Sequence, residues 1–443
     1  MTTNQPLDPN QTTFSETFSA PVPADITETE HKSPAYHATL ADMIFAFLYF
    51  GIGYFFLDAF LGNSWNNFKF FFFVLTYCVC VLTYTFLKQK RPAKESWFWL
   101  VIVLALGLPL EHWATLGLAQ LLLLPLTAAY WTLSVSGCLL DDGKTSSLCL
   151  ADAANACFVV PFCNFKLPFS AMFQACKNTR SGKQLLSILL GLLISIPVLG
   201  LILPQLGAAD PHFADSLSRF FAHFSGNLSG YVLKFLFSIP ISMYLFGLIS
   251  GSLHKRCTNV LRVERLHQTA ANMRVFPSVV ALTPLFLLSL LYILFMILQS
   301  SYLFQAFAGK LPVSMTYAEY ARQGFFELCR ISAWNLFFLL LANIGCKKNR
   351  LENPALRFAN FLLAVLTLLL LATALSKMVL YIRVYGFTQL RVITSTFLLW
   401  LAGVFILFLI WQKKQLPIVR YSLLSGAAIC AFLCALPLPL WLP

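Results

Sequence analysis

The chain has 443 residues, 58% of them hydrophobic and 11% charged, with a formal net charge of +13. A water-soluble domain carries about 25% charged residues, so a soluble globular enzyme or binding module is excluded as the main architecture. The positive balance is not that of a nucleic-acid reader either. Its lysines and arginines sit in short gaps between apolar stretches, and no gap is large enough to hold a reading domain.

Residues 1–37 are polar, rich in threonine, proline and acidic side chains, and almost free of large aliphatics. Such a segment cannot bury enough apolar area to fold and is predicted to be a disordered cytoplasmic tail. It has no basic region leading into a short apolar run, so it is not a signal peptide and the first apolar span is expected to stay in the mature protein. The remainder, 38–443, reads as one transmembrane helical domain. A hydrocarbon layer of roughly 30 Å needs about 20 apolar residues per helix, and the pattern predicts spans at 39–61, 68–87, 96–110, 113–137, 184–206, 229–250, 277–299, 324–345, 358–381, 392–411 and 421–441. The fold class is therefore all-α, a polytopic transmembrane helix bundle of about 11 spans.

Basic residues collect in alternate gaps. Placing the N-terminus inside puts 22 of the 31 lysines and arginines in cytoplasmic segments, which orients the bundle by the positive-inside rule and leaves the C-terminus outside. The 96–110 stretch is short and runs into Pro109, Glu111 and His112. It is kept as a span because otherwise the basic gaps on its two sides fall on opposite faces. The 138–183 gap contains the apolar run 150–173, broken by Pro161 and Pro168, and is predicted to form two interfacial helices under the bundle. On the other side, 207–228 has phenylalanines at helical spacing and suggests an interfacial helix opening near Asp210. No internal repeat is visible.

Seven of the twelve cysteines fall in the cytoplasmic gaps, where disulfides do not persist. The run Cys149, Cys157, Cys163, Cys176 lacks the short paired spacing of a zinc site. DDGKTSS at 141–147 has a Gly-Lys-Thr step, but Gly137 is one residue too far away for a phosphate loop and no strand precedes it, so a turn is expected. The sequence predicts no catalytic residue, no metal site and no cofactor.

The unusual polar residues gather at the outer ends of spans. In 315–330, Tyr317, Tyr320 and Glu327 share one helical face, while Glu319, Arg322 and Arg330 lie on an adjacent one. Glu319 with Arg322 and Glu327 with Arg330 are oppositely charged i,i+3 pairs, and the second pair falls inside the predicted span, where ionisable groups are costly. At the end of the ninth span, Lys377, Tyr381 and Tyr385 are four apart on one face, and Arg383 and Arg391 flank Gly386, a predicted turn. Asp210 joins the same level. Two readings stand for these residues: a functional cluster, or lysines snorkelling and tyrosines anchoring at the headgroups, with Glu327 and Arg330 as a structural ion pair.

YAEYARQGFFEL at 317–328, YGFTQLRV at 385–392, NACFVVPFCNF at 155–165 and AADPHF at 208–213 resemble signatures of an uncharacterised family of bacterial multi-pass membrane proteins known only as a domain of unknown function. Phe387 stands where that family usually has leucine. The resemblance implies a multi-pass protein of the bacterial cytoplasmic (inner) membrane and supplies no reaction. Three function classes follow from position and chemistry. The first is transport or flipping of a lipid or small solute through an outward-facing polar vestibule. The second is a non-transporting sensor or scaffold that binds a membrane partner. The third is a membrane enzyme acting on lipid-linked substrates, with Glu319 or Glu327 as acid or base. The expected partners are membrane lipids and a membrane protein, not nucleic acid.

Overall fold

A computed structural model describes residues 36–61, 67–108, 114–178, 228–258, 260–261, 263–300, 305–308, 325–347 and 351–436, with Thr316, Glu319 and isolated positions between 184 and 210. The helices are α1 (Leu40–Leu61), α2 (Asn67–Leu87), α3 (Ser96–Leu106), α4 (Ala114–Val135), α5 (Cys149–Cys163), α6 (Leu167–Asn178) and α7 (Leu228–Leu253). They continue with α8 (Val263–Asn272), α9 (Ser278–Leu298), α10 (Phe325–Gly345), α11 (Pro354–Tyr385), α12 (Gln389–Trp411) and α13 (Ile418–Ala435). In hydrocarbon every backbone N–H and C=O must be satisfied within its own segment, so long apolar runs become helices. Among the described residues eight helices are long and apolar enough to cross a bilayer, or nine if the bent α5–α6 pair is one span.

That number is lower than the eleven spans expected because three of them, 96–110, 113–137 and 184–206, are not among the eight, and of 113–137 the counted apolar helix is Gln120–Val135, shorter than 18 residues. The 184–206 stretch lies almost wholly outside the described residues. Helix α3 has 11 residues, about 16 Å of rise, roughly half a hydrocarbon layer. It runs antiparallel to α4, and the open ends of this hairpin meet where Ala93 N donates to Val135 O at 3.4 Å. Gln120 of α4 donates to the carbonyls of Leu106 and Leu108, the latter at 2.8 Å. The end of a short helix set among apolar side chains is thereby satisfied. The 150–173 run forms α5 and α6, which bend by 46° at their junction and pack on α7 and α1.

Among the described residues two apolar cores are present. Tyr49, Tyr84, Trp131 and Phe246 lie at the centre of one, built from α1–α7 with Ala431 and Cys434 of α13. Leu285, Leu339, Leu363, Phe405 and Phe408 lie in the other, built from α9–α12. Helix α13 packs on both α3 and α12. Helices α1 and α7 approach closely, and a Cβ added to Gly53 would sit 2.7 Å from Ser238 O and against Ser242 Oγ. Small residues at such crossings let helix backbones come within van der Waals contact. Helix α11 opens with Asn353 accepting from Leu356 N at 3.2 Å and Pro354 in its first turn, a standard helix start.

Candidate functional site

The end of α11 brings part of the expected cluster together. Gly386 takes φ +73°, a left-handed conformation that glycine adopts freely, and turns the chain from α11 into α12. Across this turn the Arg391 guanidinium lies 4.0 Å from the Tyr381 ring centroid and 5.9 Å from that of Tyr385. It donates to Tyr385 O at 3.0 Å and Gly386 O at 2.6 Å, and the two tyrosine rings meet edge to face at 5.2 Å. Lys377, one turn earlier on the same face, is 1% exposed. A buried ammonium inside an apolar helix is costly and marks a place where the bundle supplies polar surroundings.

The other members are arranged differently. Glu319 and Thr316 are bonded reciprocally: Thr316 N and Oγ1 donate to Glu319 Oε2 at 3.0 and 2.9 Å, and Glu319 N donates to Thr316 Oγ1 at 3.3 Å. These bonds hold the Glu319 carboxyl below the usual carboxylate range. Glu327 and Arg330 are both exposed in the first turns of α10, and among the described residues no ion pair joins them. Arg383 is exposed in the last turn of α11, and Asp210 is exposed with its amide donating to Leu206 O at 3.1 Å. Tyr317, Tyr320 and Arg322 lie outside the described residues. At the same end of the first core, Asp58 bridges Lys69 (3.3 Å) and Lys234 (2.9 Å), tying the ends of α1, α2 and α7.

The opposite end holds a buried ionic knot that sequence reasoning missed. Asp42, in the first turn of α1, is fully buried. Its Oδ2 accepts from Lys88 Nζ at 2.6 Å and from Thr39 N and Oγ1 at 2.7 and 2.8 Å. Its Oδ1 accepts from the Tyr84 hydroxyl and lies 3.8 Å from His254 Nε2. His254 Nδ1 is 2.8 Å from Ser250 O, and the ring packs edge to face with Tyr36 at 5.0 Å. Burial pushes the His254 imidazole below its ordinary value, outweighing the Ser250 carbonyl and Asp42 carboxylate that favour its charged form. An acid in the opening turn of an otherwise apolar span was the available signal. Its partners, Tyr84 on α2 and Lys88 just past its end, 42 and 46 residues away, and His254 more than 200 away beyond α7, carry no local pattern.

Two motifs gain a structural account. In NACFVVPFCNF, Asn155 sits in a π-helical turn of α5 and donates to Thr258 O at 2.8 Å, while Asn164 donates to Arg256 O at 3.1 Å. The two asparagines hold the chain that leaves α7. DDGKTSS is a turn, with Gly137 and Gly143 at positive φ and Lys144 N donating to Asp141 O at 2.8 Å. Its Thr145 accepts from Trp99 Nε1 (3.2 Å) and Tyr130 Oη (3.1 Å) and donates its amide to Glu95 at 3.0 Å. Glu95 also pairs with Arg420 of α13 at 2.8 Å. Among the described residues no group of three histidine, cysteine or acidic side chains converges to hold a metal ion.

An all-helical chain with this many bilayer-length apolar helices is an integral membrane protein. More particularly, the model of the family described as a domain of unknown function (DUF4153) matches residues 97–442, and the chain belongs to that family. No curated protein and no solved structure matches it.

Proposed function

We propose that this protein is a carrier or flippase of a bacterial cytoplasmic membrane that moves an anionic lipid or small anionic solute, with its substrate-binding groups at the outer ends of α10–α12. The observation that carries this reading is Lys377. Its ammonium is buried within an apolar helix, one turn from Tyr381, over which Arg391 is stacked. Two cations and two tyrosines stand along one end of α11 and α12, residue types suited to a phosphate or carboxylate group. Pro240 and Pro284 inside α7 and α9 are compatible with helices that flex around a transport path.

The full chain reconstituted in proteoliposomes tests it, using flipping of a fluorescent phosphatidylglycerol and uptake of a panel of small organic anions. Lys377→Met is expected to abolish transport at equal protein level and unchanged elution volume, with partial retention in Lys377→Arg. Full activity of Lys377→Met would end this reading.

A second reading has its own support. Glu327, Arg330, Trp334 and Phe337 form an exposed stripe along α10, the kind of surface on which a membrane partner docks. A scaffold of this kind is expected to co-purify with one membrane protein in stoichiometric amount, and to lose it on Arg330→Ala while Lys377→Met keeps it.

A further inference from the structure

At the end of the bundle opposite Lys377, the start of α11 and the end of α12 enclose a groove of about 520 Å³. Its apolar part is formed by Phe358, Phe361, Leu409 and Ile410, and its head carries Arg357, Lys413 and Lys414. Phe358 and Phe361 are 58% and 49% exposed, and both lysines are exposed. Cations therefore stand at one end of a strip of apolar surface that continues along the helices. The positive end of the α11 dipole lies at the same point, since Pro354 in its first turn also lines the groove.

The Arg357 side chain supplies an independent sign. Its Nη2 donates to Leu351 O at 3.0 Å, but its Nε is buried with no hydrogen-bond partner. A buried guanidinium N–H without an acceptor is costly, and the charged group that carries it lines the groove.

We propose that this groove binds an anionic phospholipid of the surrounding leaflet, its phosphate at Arg357, Lys413 and Lys414 and an acyl chain against Phe358, Phe361, Leu409 and Ile410. The exposed phenyl rings select a lipid over free phosphate, because an inorganic ion makes no use of them. Basic pockets between transmembrane helices at the cytoplasmic level are the recurrent form of such sites. The site is separate from Lys377 and does not depend on the transport reading.

The test uses the full chain, purified in a mild uncharged detergent and titrated with phosphatidylglycerol, phosphatidylcholine or inorganic phosphate, with retained lipid counted by native mass spectrometry. Phosphatidylglycerol is expected to be retained in preference to phosphatidylcholine, and millimolar phosphate to leave that preference intact. Each basic side chain near an anionic headgroup is worth about fivefold in affinity. The Lys413→Gln/Lys414→Gln variant is therefore expected to lose roughly 25-fold, and adding Arg357→Gln on the order of a hundredfold. Lys166→Gln, an exposed cation on the α5–α6 segment, should change nothing. The double lysine variant keeps the Arg357–Leu351 bond, so a folding failure of the triple variant leaves the test standing. Equal retention of the two lipids by the wild type, or undiminished preference in the double variant, would overturn the proposal. So would competition by free phosphate.

Discussion

Asp42 places a carboxylate where water cannot reach it, and its neighbours decide what that means for stability. Lys88, Tyr84 and Thr39 together satisfy both of its oxygens, so the knot is stable as a set and weak once opened. Asp42→Asn leaves the Lys88 ammonium facing a neutral amide. It is expected to reduce stability by roughly 3 kcal/mol, read as a lower thermal midpoint of the purified protein by tryptophan fluorescence. Asp42→Asn with Lys88→Met should recover part of that loss, whereas no recovery would mean that packing rather than charge holds the three helices. His254 adds a pH dependence. Its folded value lies below the ordinary 6.5 because it is buried, against the pull of Asp42 and with the help of Lys88 and Lys90. As pH falls through 6.5 the unfolded chain takes up a proton that the folded one resists, so stability declines until the lower folded value is passed. The midpoint should drop further between pH 7.5 and 5.5 in the wild type than in His254→Gln; parallel drops would show that His254 does not titrate in this window. None of this was legible beyond the acid itself. A span is recognised by its apolar run, and the partner of a buried charge is set by which helix ends meet.

Helices were the most legible level, and the reason is the solvent. In hydrocarbon the backbone has no alternative to internal hydrogen bonding, so apolar length translates directly into helix length. The expected 68–87 and 277–299 became Asn67–Leu87 and Ser278–Leu298. The same rule misjudges α3, because apolar composition does not reveal that a helix stops after three turns when a glutamine from the next helix satisfies its open carbonyls. The turn at Gly386 was readable from glycine between two arginines. The bonds of Arg391 to Tyr385 and Gly386 were not, since they depend on the angle between α11 and α12. Helix crossings are hidden in the same way. Gly51 and Gly53 look alike in the chain, yet a Cβ on Gly51 meets nothing within 4 Å while one on Gly53 meets Ser238 O at 2.7 Å. Gly53→Ala is therefore expected to push α1 off α7 and lower stability by about 1–3 kcal/mol. Gly51→Ala should be neutral or slightly stabilising through helix propensity. Similar midpoints for the two variants would mean that the α1–α7 contact is looser than its geometry implies.

At the scale of the molecule, α13 is the described helix that packs on both cores, touching α3 on one side and α12 on the other. Trp400 of α12 donates to Ser422 O and Ser425 Oγ of α13, each at 3.3 Å. On the α3 side, Arg420 pairs with Glu95 across 325 residues of chain. Glu95 in turn holds the Thr145 amide, so one carboxylate links the start of α3, the 141–147 turn and the start of α13. The pair is partly exposed, with side chains 11% and 30% accessible, so its free energy is that of a screened surface bridge, about 1 kcal/mol at most. That is enough to bias how often α13 lifts from α3. The turn before α13 carries Lys413 and Lys414, both exposed, which makes trypsin a direct reporter of that opening. Where cleavage follows a rapid local opening, its rate tracks the population of the open form. Arg420→Gln and Glu95→Gln are each expected to speed cutting at Lys413 and Lys414 by up to about fivefold, and to do so less at high salt, where the wild-type pair is already screened. Unchanged cutting in both variants would place the whole attachment of α13 in its apolar contacts, and the link between the two cores would then be insensitive to charge.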